Sequence, residues 1–308
     1  MKKTIALLLT LCLLSGCAAR PAEPQQGSDH TITDDLGRSV TVGESPRTAA
    51  LLGSFAQIWM LAGGEVCATA DDAWNDLVLQ LEEDTVNLGS IRELSLELLL
   101  SAKPDFILAS ANTRQHLQWK ETLEATGIPV AYFNVSDFED YLRMLEICTA
   151  ITDRMDVYVT RGLSLQRQID ECIARAAERG TSPRVLYLRA SATSIRAKNS
   201  RGSVLGEMLA DLGCINIADT DDTLLENLSV EHILMQDPEF IFIVRLGDDE
   251  DAAREHVNQF FRDNPALESL TAVKNNRVIF LDKRMYNMKP NNLWAQAYLY
   301  LEDILLEG

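Results

Sequence analysis

Seven basic side chains follow or flank predicted strands in a chain whose formal net charge is −18. They are Arg92, Arg114, Arg189, Arg196, Lys198, Arg245 and Lys289. Such groups, converging from several loops, are suited to hold a bulky anion, because arginine binds carboxylates through two parallel hydrogen bonds. Trp74 and Tyr286, in neighbouring loops, are expected to stack on planar parts of a ligand, and Ser54 and Asn112 to add polar contacts. The alternatives are a solvated surface charge for each arginine, a core position for Trp74 and helix capping for Ser54 and Asn112.

A second pair of candidate residues comes from a pattern that occurs twice. Residues 95–110 and 229–244 carry Ser, Glu, Leu, Pro, Phe and Ile at matching places. Each copy predicts a short capped helix, a stop at Pro and a buried strand, and such similarity indicates two related structural units. Glu97 and Glu231 then fall on equivalent first turns. The simpler role of each carboxylate is to complement the positive N-terminus of its own helix.

The elements that must position these residues alternate between apolar strands and helices closed by Gly, which is typical of parallel sheets covered on both faces. Residues 153–179 break the alternation, because apolar positions recur there at helical spacing without a stop. This helix would be roughly 40 Å long, more than one lobe needs. We therefore predict an α/β fold of two Rossmann-like lobes with mostly parallel sheets, over 31–151 and 181–308, joined by a single long interdomain helix over 152–180.

The N-terminus predicts export. Two lysines precede an apolar run that is too short to span a bilayer, so residues 1–16 are interpreted as a signal peptide. Cys17 stands where a bacterial lipobox has its lipidated cysteine, and residues 17–30 predict a disordered tether. The mature chain is expected in the cell envelope, at the outer face of the cytoplasmic membrane or in the periplasm, held to a membrane only by its lipid.

The composition of the chain excludes several classes of binding partner and several kinds of catalytic or metal site. A chain this acidic is a poor candidate for nucleic acid or anionic lipid headgroups. Four further cysteines of the mature chain form no CxxC motif, so no metal site is predicted: Cys67, Cys148, Cys172 and Cys214. They are expected to be buried as small apolar residues. Disulfides between them are possible in this compartment, but the sequence does not show how they would pair. The sequence has no GxSxG, P-loop or HExxH motif and its four histidines are scattered, so no enzyme is predicted.

Several short motifs, taken in order, resemble one family. They are the lipobox at Cys17, residues 33–38, 88–90 and 95–105, and later residues 202–205, 264–274 and 276–282. From about residue 31 onward the chain is similar to the class III substrate-binding lipoproteins of ABC importers, the iron-complex and vitamin B12 type.

The resemblance implies a ligand held between two lobes and handed to an ABC permease dimer with its ATPase. It also implies that Glu97 and Glu231 dock on basic residues of the permease, and that the protein is a monomer without a cofactor. The basic loops favour a ferric siderophore as ligand, with haem or a corrinoid as alternatives. Direct zinc or manganese binding is less favoured, because the loops offer Arg and Asn rather than converging His. A continuous interlobe helix predicts modest closure.

Overall fold

The computed structural model describes residues 29–219, 222–226, 228–247 and 249–306. The predicted signal peptide, Cys17 and most of the predicted tether lie outside the described residues. The described part contains one antiparallel hairpin and two five-stranded sheets, one in each predicted lobe. The predicted α/β fold with mostly parallel sheets is confirmed.

The N-terminal lobe is built on a parallel sheet in the order β5-β4-β3-β6-β7. A hairpin of β1 (His30–Thr33) and β2 (Ser39–Val42) precedes β3 (Thr48–Ala50), β4 (Val66–Thr69), β5 (Val86–Asn87), β6 (Phe106–Ser110) and β7 (Val130–Phe133). The helices are α1 (Gly53–Leu61), α2 (Asp72–Asn75), α3 (Leu96–Ser101), α4 (Arg114–Gln118), α5 (Lys120–Glu124) and α6 (Phe138–Ile151). The central strands are buried throughout because helices cover both faces, which explains their continuous apolar sequences.

The turn of the hairpin is fixed by one carboxylate. Asp34 accepts hydrogen bonds from the backbone of Leu36 and Arg38 and from the Arg38 guanidinium. Its second oxygen also accepts from the backbone N–H of Tyr132 on β7. The hairpin turn therefore covers the outer edge of β7, which would otherwise be open to pairing with another chain.

The predicted interlobe helix begins at Met155 and ends at Arg179. It consists of α7 (Met155–Tyr158), a π-helical turn (Val159–Leu163) and α8 (Ser164–Arg179), and it is followed by Gly180 in the left-handed conformation. Gly162 belongs to the π turn, where an added Cβ would lie 2.7 Å from Leu142 Cδ1 of α6. The π turn thus lets the helix pass close to the N-terminal lobe without ending.

The C-terminal lobe repeats the architecture with the strand order β10-β8-β11-β12, all parallel, and β9 antiparallel along β8. The strands are β8 (Arg184–Ala190), β9 (Ile195–Ala197), β10 (Ile215–Asn216), β11 (Phe240–Arg245) and β12 (Val278–Leu281). The helices are α9 (Val204–Asp211), α10 (Asp222–Glu226), α11 (Val230–Gln236), α12 (Glu250–Asp263), α13 (Thr271–Lys274), α14 (Lys283–Tyr286) and α15 (Trp294–Leu306), with short 3₁₀ turns at Ile217–Asp219, Pro265–Ser269 and Asn291–Leu293.

The repeated pattern forms the same unit twice. Ser95 and Ser229 cap α3 and α11, each accepting from the backbone N–H three residues on, at 3.2 Å. The residues before the two prolines, Lys103 and Asp237, have φ of 49° and 40°. The strands that follow, β6 and β11, both lie inside their sheets. The two lobes are therefore related structural units, as the sequence pattern indicates.

The two lobes share one hydrophobic core. Each sheet has its own cluster on one face, but a third cluster draws side chains from both lobes and from α8. The rings of Phe138 on α6 and Trp294 on α15 meet edge to face, with centroids 6.1 Å apart. Buried Asn291 donates to the Ser54 carbonyl at 2.9 Å and to Gln57 Oε1 at 2.6 Å. The lobes are thus joined by packing as well as by the chain.

Candidate ligand-binding cleft

A cleft lies between the lobes, beyond the carboxyl ends of their parallel strands. Its pocket of about 400 Å³ is lined from the N-terminal lobe by Asp71, Asp72, Asn75, Asp76, Ser90, Ile91 and Arg92, and from the C-terminal lobe by Leu246, Gly247, Lys283, Asn287 and Met288. Ligands of open α/β sheets bind at this edge, because the loops there are free to vary while the strands hold them in place. The interlobe space is therefore the candidate ligand site.

Two arginines face each other in the C-terminal lobe, where β8 and β9 pair, and neither is among the residues that line the pocket of about 400 Å³. Arg189 at the end of β8 pairs directly with Arg196 on β9 across the antiparallel ladder. Within the described residues, no carboxylate lies within ion-pair distance of either guanidinium. Like charges directly opposite on neighbouring strands destabilise a sheet. The protein therefore holds two adjacent positive charges without compensating them.

Two lysines extend this positive charge. Lys198 follows β9, and its backbone N–H donates to the Tyr187 carbonyl at 2.9 Å, which keeps it beside β8. Burial and the nearby Arg189 lower the pKa of Lys198. Burial and the same arginine also lower the pKa of Lys289. We call Arg189, Arg196, Lys198 and Lys289 the basic wall.

Arg189 is held in place before any ligand arrives. Its Nε donates to the Tyr187 hydroxyl at 2.8 Å, and its guanidinium lies 5.8 Å from the centre of the Tyr187 ring. Burial raises the pKa of Tyr187, so the hydroxyl stays neutral and does not compensate the arginine. Within the part of the chain that the structure describes, the remaining N–H groups of Arg189 have no other partner and can donate to an anion.

The N-terminal side of the cleft contributes a buried carboxylate. Asp72 accepts from the backbone N–H of Gly53 at 2.9 Å, and burial raises its pKa to about 6. Gly53 is required here, because a Cβ would lie 2.6 Å from the backbone nitrogen of Ala73. This contact, rather than the predicted Ser54 cap, satisfies the start of α1, whose first residue is Gly53. Asp72 and Asp140 both act on Lys289 by charge, so this lysine lies near both lobes.

Two predicted ligand contacts are wrong in this structure. Tyr286 is fully buried, and its hydroxyl donates to the Ala297 carbonyl at 3.0 Å, so its ring packs in the shared core rather than on a ligand. The Ser54 side chain is also buried, at the point where Asn291 joins the lobes. Neither side chain is accessible to a ligand.

The other predicted residues occupy several places. Arg92 lines the pocket and is exposed, whereas Trp74 is half-buried next to it on α2. Asn112 and Arg114 are exposed after β6, and the Asn112 amide donates to Asn134 Oδ1. Arg245 donates to the Gly247 carbonyl at 2.7 Å and lies 3.9 Å from Glu250, so its charge is partly compensated.

Sequence reasoning missed several residues that the fold brings to the cleft. Asp72, Asp76, Asp140 and Lys283 are acids and a lysine of ordinary local sequence. For Asp72 and Asp76, the only signal in the sequence is that the loop at 71–76 follows a predicted strand. Asp76 and Lys283 find their charge partner in the other lobe, and Asp72 accepts from the distant Gly53, so no local pattern marks these three.

Glu97 and Glu231 are exposed on the first turns of α3 and α11. Among the residues that the structure covers, neither carboxylate has a hydrogen bond or an ion pair. Each therefore presents its charge to solvent at an equivalent point of its lobe.

Outside the cleft, the described residues show no metal site, disulfide or membrane-spanning helix. No group of three or more His, Cys, Asp or Glu side chains there is arranged to hold a metal ion. The four cysteines that are described are unbonded, and three of them are buried. No described helix has both the length and the apolar character needed to cross a bilayer.

Two lobes with parallel sheets and a ligand-sized cleft between them define a solute-binding protein. Residues 49–285 match the family model of the periplasmic binding proteins. The chain therefore belongs to this family, in its class III group of iron-complex and vitamin B12 type, whose members are the solute-binding components of ABC importers and not enzymes.

Individual relatives are distant but nearly full in length. The chain is similar to the Fe(3+)-citrate-binding protein YfmC of Bacillus subtilis (strain 168), at 23% identity over 285 residues, covering 90% of this chain and 87% of that protein. The solved periplasmic heme-binding protein RhuT from Roseiflexus sp. RS-1 has a TM-score of 0.68 at 20% identity, covering 85% of this chain and 98% of that one. Staphylococcus aureus SirA complexed with staphyloferrin B has a TM-score of 0.67 at 19% identity, covering 90% and 97%. These two structures share the fold.

Proposed function

We propose that this protein captures an anionic ferric chelate, of the siderophore or citrate type, in the interlobe cleft and delivers it to an ABC permease. The observation that carries the proposal is the basic wall. Its arginines are paired with each other rather than with carboxylates, which is unfavourable in the empty protein and is relieved when an anion binds. Two similar proteins, an Fe(3+)-citrate-binding protein and one complexed with staphyloferrin B, agree with this ligand class.

Haem and a corrinoid are the alternatives to test. Haem carries propionates that suit arginine, and the structural neighbours include proteins that bind heme or are complexed with it. The aromatic surface that a planar macrocycle would use is reduced, however, because Tyr286 is buried and leaves half-buried Trp74 as the predicted stacking residue. A carboxylate-rich or catecholate chelate fits the wall better than a macrocycle.

Anchoring and assembly belong to the same proposal. Lipidation of Cys17 would hold the protein at the outer face of the cytoplasmic membrane or in the periplasm, and the support for it is the lipobox-like sequence. We further propose that the protein is a monomer, and that Glu97 and Glu231 contact basic residues of the permease. A free carboxylate on each lobe would orient the protein on the two halves of a transporter.

Titration of the purified protein tests the ligand class. We expect quenching of tryptophan fluorescence by ferric citrate or a ferric catecholate, and weaker responses to haemin and cyanocobalamin. Arg196→Gln should weaken chelate binding about 10- to 100-fold, because it removes a charge-assisted hydrogen bond. Its folding should be unharmed, since Arg196 is exposed and its removal relieves a like-charge pair.

The matched control is Arg262→Gln, which removes an exposed arginine from α12 outside the wall. Its affinity should equal that of the unmodified protein. Absence of binding by every chelate in the panel, or equal chelate affinity for Arg196→Gln and Arg262→Gln, would contradict the proposal.

A further inference from the structure

Two cavities lie side by side at the mouth of the cleft. The first, of about 420 Å³, is lined by Ala190, Ile243, Arg245, Glu250, Ala253, Arg254, Phe280, Leu281, Asp282 and Arg284, together with Asn75, Asp76 and Lys283. The second is the interlobe pocket of about 400 Å³ described above. Asn75, Asp76 and Lys283 line both cavities, so these three residues form the boundary between them.

An ion pair between the two lobes lies at the boundary of these two cavities. Lys283, the first residue of α14, reaches Asp76 at the end of α2, and it also donates to the Gly247 carbonyl at 3.3 Å. Only 7% of the Lys283 side chain and 21% of the Asp76 side chain are exposed. The two side chains stay paired, because leaving either charge without its partner at such a largely buried site would cost free energy.

The two cavities offer different chemistry to a ligand. The first contains Arg245, Arg254 and Arg284, whose charges are paired with Glu250 and Asp282, and Arg254 lies 4.0 Å from the centre of the Phe280 ring. The second is lined by the apolar Ile91, Leu246 and Met288, by Arg92 and Lys283, and by the carboxylates of Asp71, Asp72 and Asp76. A ligand confined to the second cavity would not contact the Arg254–Phe280 pair.

We propose that the Asp76–Lys283 ion pair is a specificity-determining partition, which limits the cleft to compact ferric chelates and excludes chelates that would need both cavities. Removing the pair joins the cavities into one continuous space and admits bulkier ligands. The inference depends on the proposed function, since it assigns the size of the chelate that the same cleft accepts.

The test compares two anionic probes of different size, ferric citrate and ferric enterobactin, in titrations of the full protein. The unmodified protein should bind ferric citrate more tightly. Asp76→Ala and Lys283→Ala should each improve ferric enterobactin binding by about tenfold or more, because a steric limit of this kind contributes factors of that order to selectivity. Ferric citrate affinity should change by less than about threefold.

A double-mutant cycle identifies the pair as the cause. Since either substitution removes the same interaction, the gain in the double variant should be clearly smaller than the product of the two single gains. Asp76→Ser shortens the side chain but keeps a polar group at the site, so it should shift selectivity in the same direction even if the alanine variants fold poorly. Asp76→Asn keeps the side-chain shape and an oxygen that can accept from Lys283, so it should leave the selectivity close to that of the unmodified protein. Glu255→Gln, which makes the same charge change in an exposed pair on α12, should alter neither affinity.

Equal affinity of the unmodified protein for the two chelates would overturn the inference. So would an unchanged ratio of the two affinities in Asp76→Ser and Lys283→Ala. If the unmodified protein binds no ferric chelate at all, the proposed function itself fails, and that result is distinguishable because it precedes any comparison of variants.

Discussion

At the residue scale, Asp72 connects the structure of the cleft to pH. Burial favours its neutral form, although its oxygen accepts from the Gly53 N–H. Between its unfolded value of 3.8 and its folded value of about 6, the folded protein binds more protons at this site than the unfolded chain. The contribution of Asp72 to stability is therefore present below pH 3.8 and is lost as the pH rises to about 6.

We predict that Asp72→Asn raises the free energy of unfolding at pH 7 by about 2 kcal/mol, because it retains the acceptor for Gly53 and removes the buried charge. Urea unfolding of both proteins from pH 4 to pH 8 measures the difference, which should grow with pH and level off above about 6. His116 is buried and its pKa is lowered to about 4, so it contributes the opposite slope, but it is common to both proteins and cancels. A difference that is constant with pH would contradict the assignment.

The sequence predicts a site residue when its role depends on its position after a strand, and not when it depends on how deeply the side chain is buried. Arg189 and Arg196 were predicted because loops at strand ends face a cleft, and the structure places them opposite each other. The predicted ligand contact of Tyr286 is wrong because the local sequence does not show whether a tyrosine that follows a strand points into the core or into the cleft. Lys283 and Asp76 were missed because each acquires its role from a partner on the other lobe.

At the element scale, α3 and α11 are the two copies of one unit, and each exposes a glutamate on its first turn. Replacing Glu97 and Glu231 by Ala should leave the chelate affinity unchanged and abolish ferric chelate uptake by cells that carry the cognate permease. The reason is that these carboxylates lie outside the lining of the cleft and have no partner among the described residues. Uptake of labelled iron and the titration described above measure the two effects.

Glu121→Ala is the matched control, because Glu121 is an exposed acid on the first turn of α5 and is not part of the repeated unit. All three substitutions should cost about 0.5 kcal/mol of stability through the helix dipole. Loss of uptake with Glu121→Ala, or loss of chelate binding with the Glu97 and Glu231 variants, would show that the repeated glutamates do not act as docking residues.

The apolar periodicity and the Gly, Pro and capping residues predict most elements, and the departures come from contacts with distant segments. The interlobe helix has an uninterrupted apolar stripe, which predicts its length, but the stripe does not reveal the π turn that accommodates Gly162 against Leu142. Helix capping is the alternative role that the sequence suggests for Ser54, whereas the Asp72 side chain of the distant α2 makes the contact at the start of α1. Local sequence therefore determines which elements form, and long-range packing determines how they begin and bend.

At the scale of the whole molecule, the shared core limits how far the lobes can move. Phe138 packs on Trp294, and Asn291 bonds to α1, so opening the lobes widely would expose apolar rings and unpair buried polar groups. We predict that ligand binding changes the radius of gyration by less than about 1 Å, with closure confined to loops. Small-angle scattering with and without ferric citrate measures this change. A compaction of several ångströms would require the lobes to separate in the empty state.

The hydrophobic core that the two lobes share also determines the effect of a C-terminal truncation. Trp294, Tyr298 and Leu301 belong to the last helix, yet they fill space between both halves. A truncated product lacking that helix would keep every strand and every member of the basic wall, but it would leave an apolar surface on each half facing water. Such a fragment should unfold and be degraded as a whole, because each half relies on the other to cover its apolar side chains.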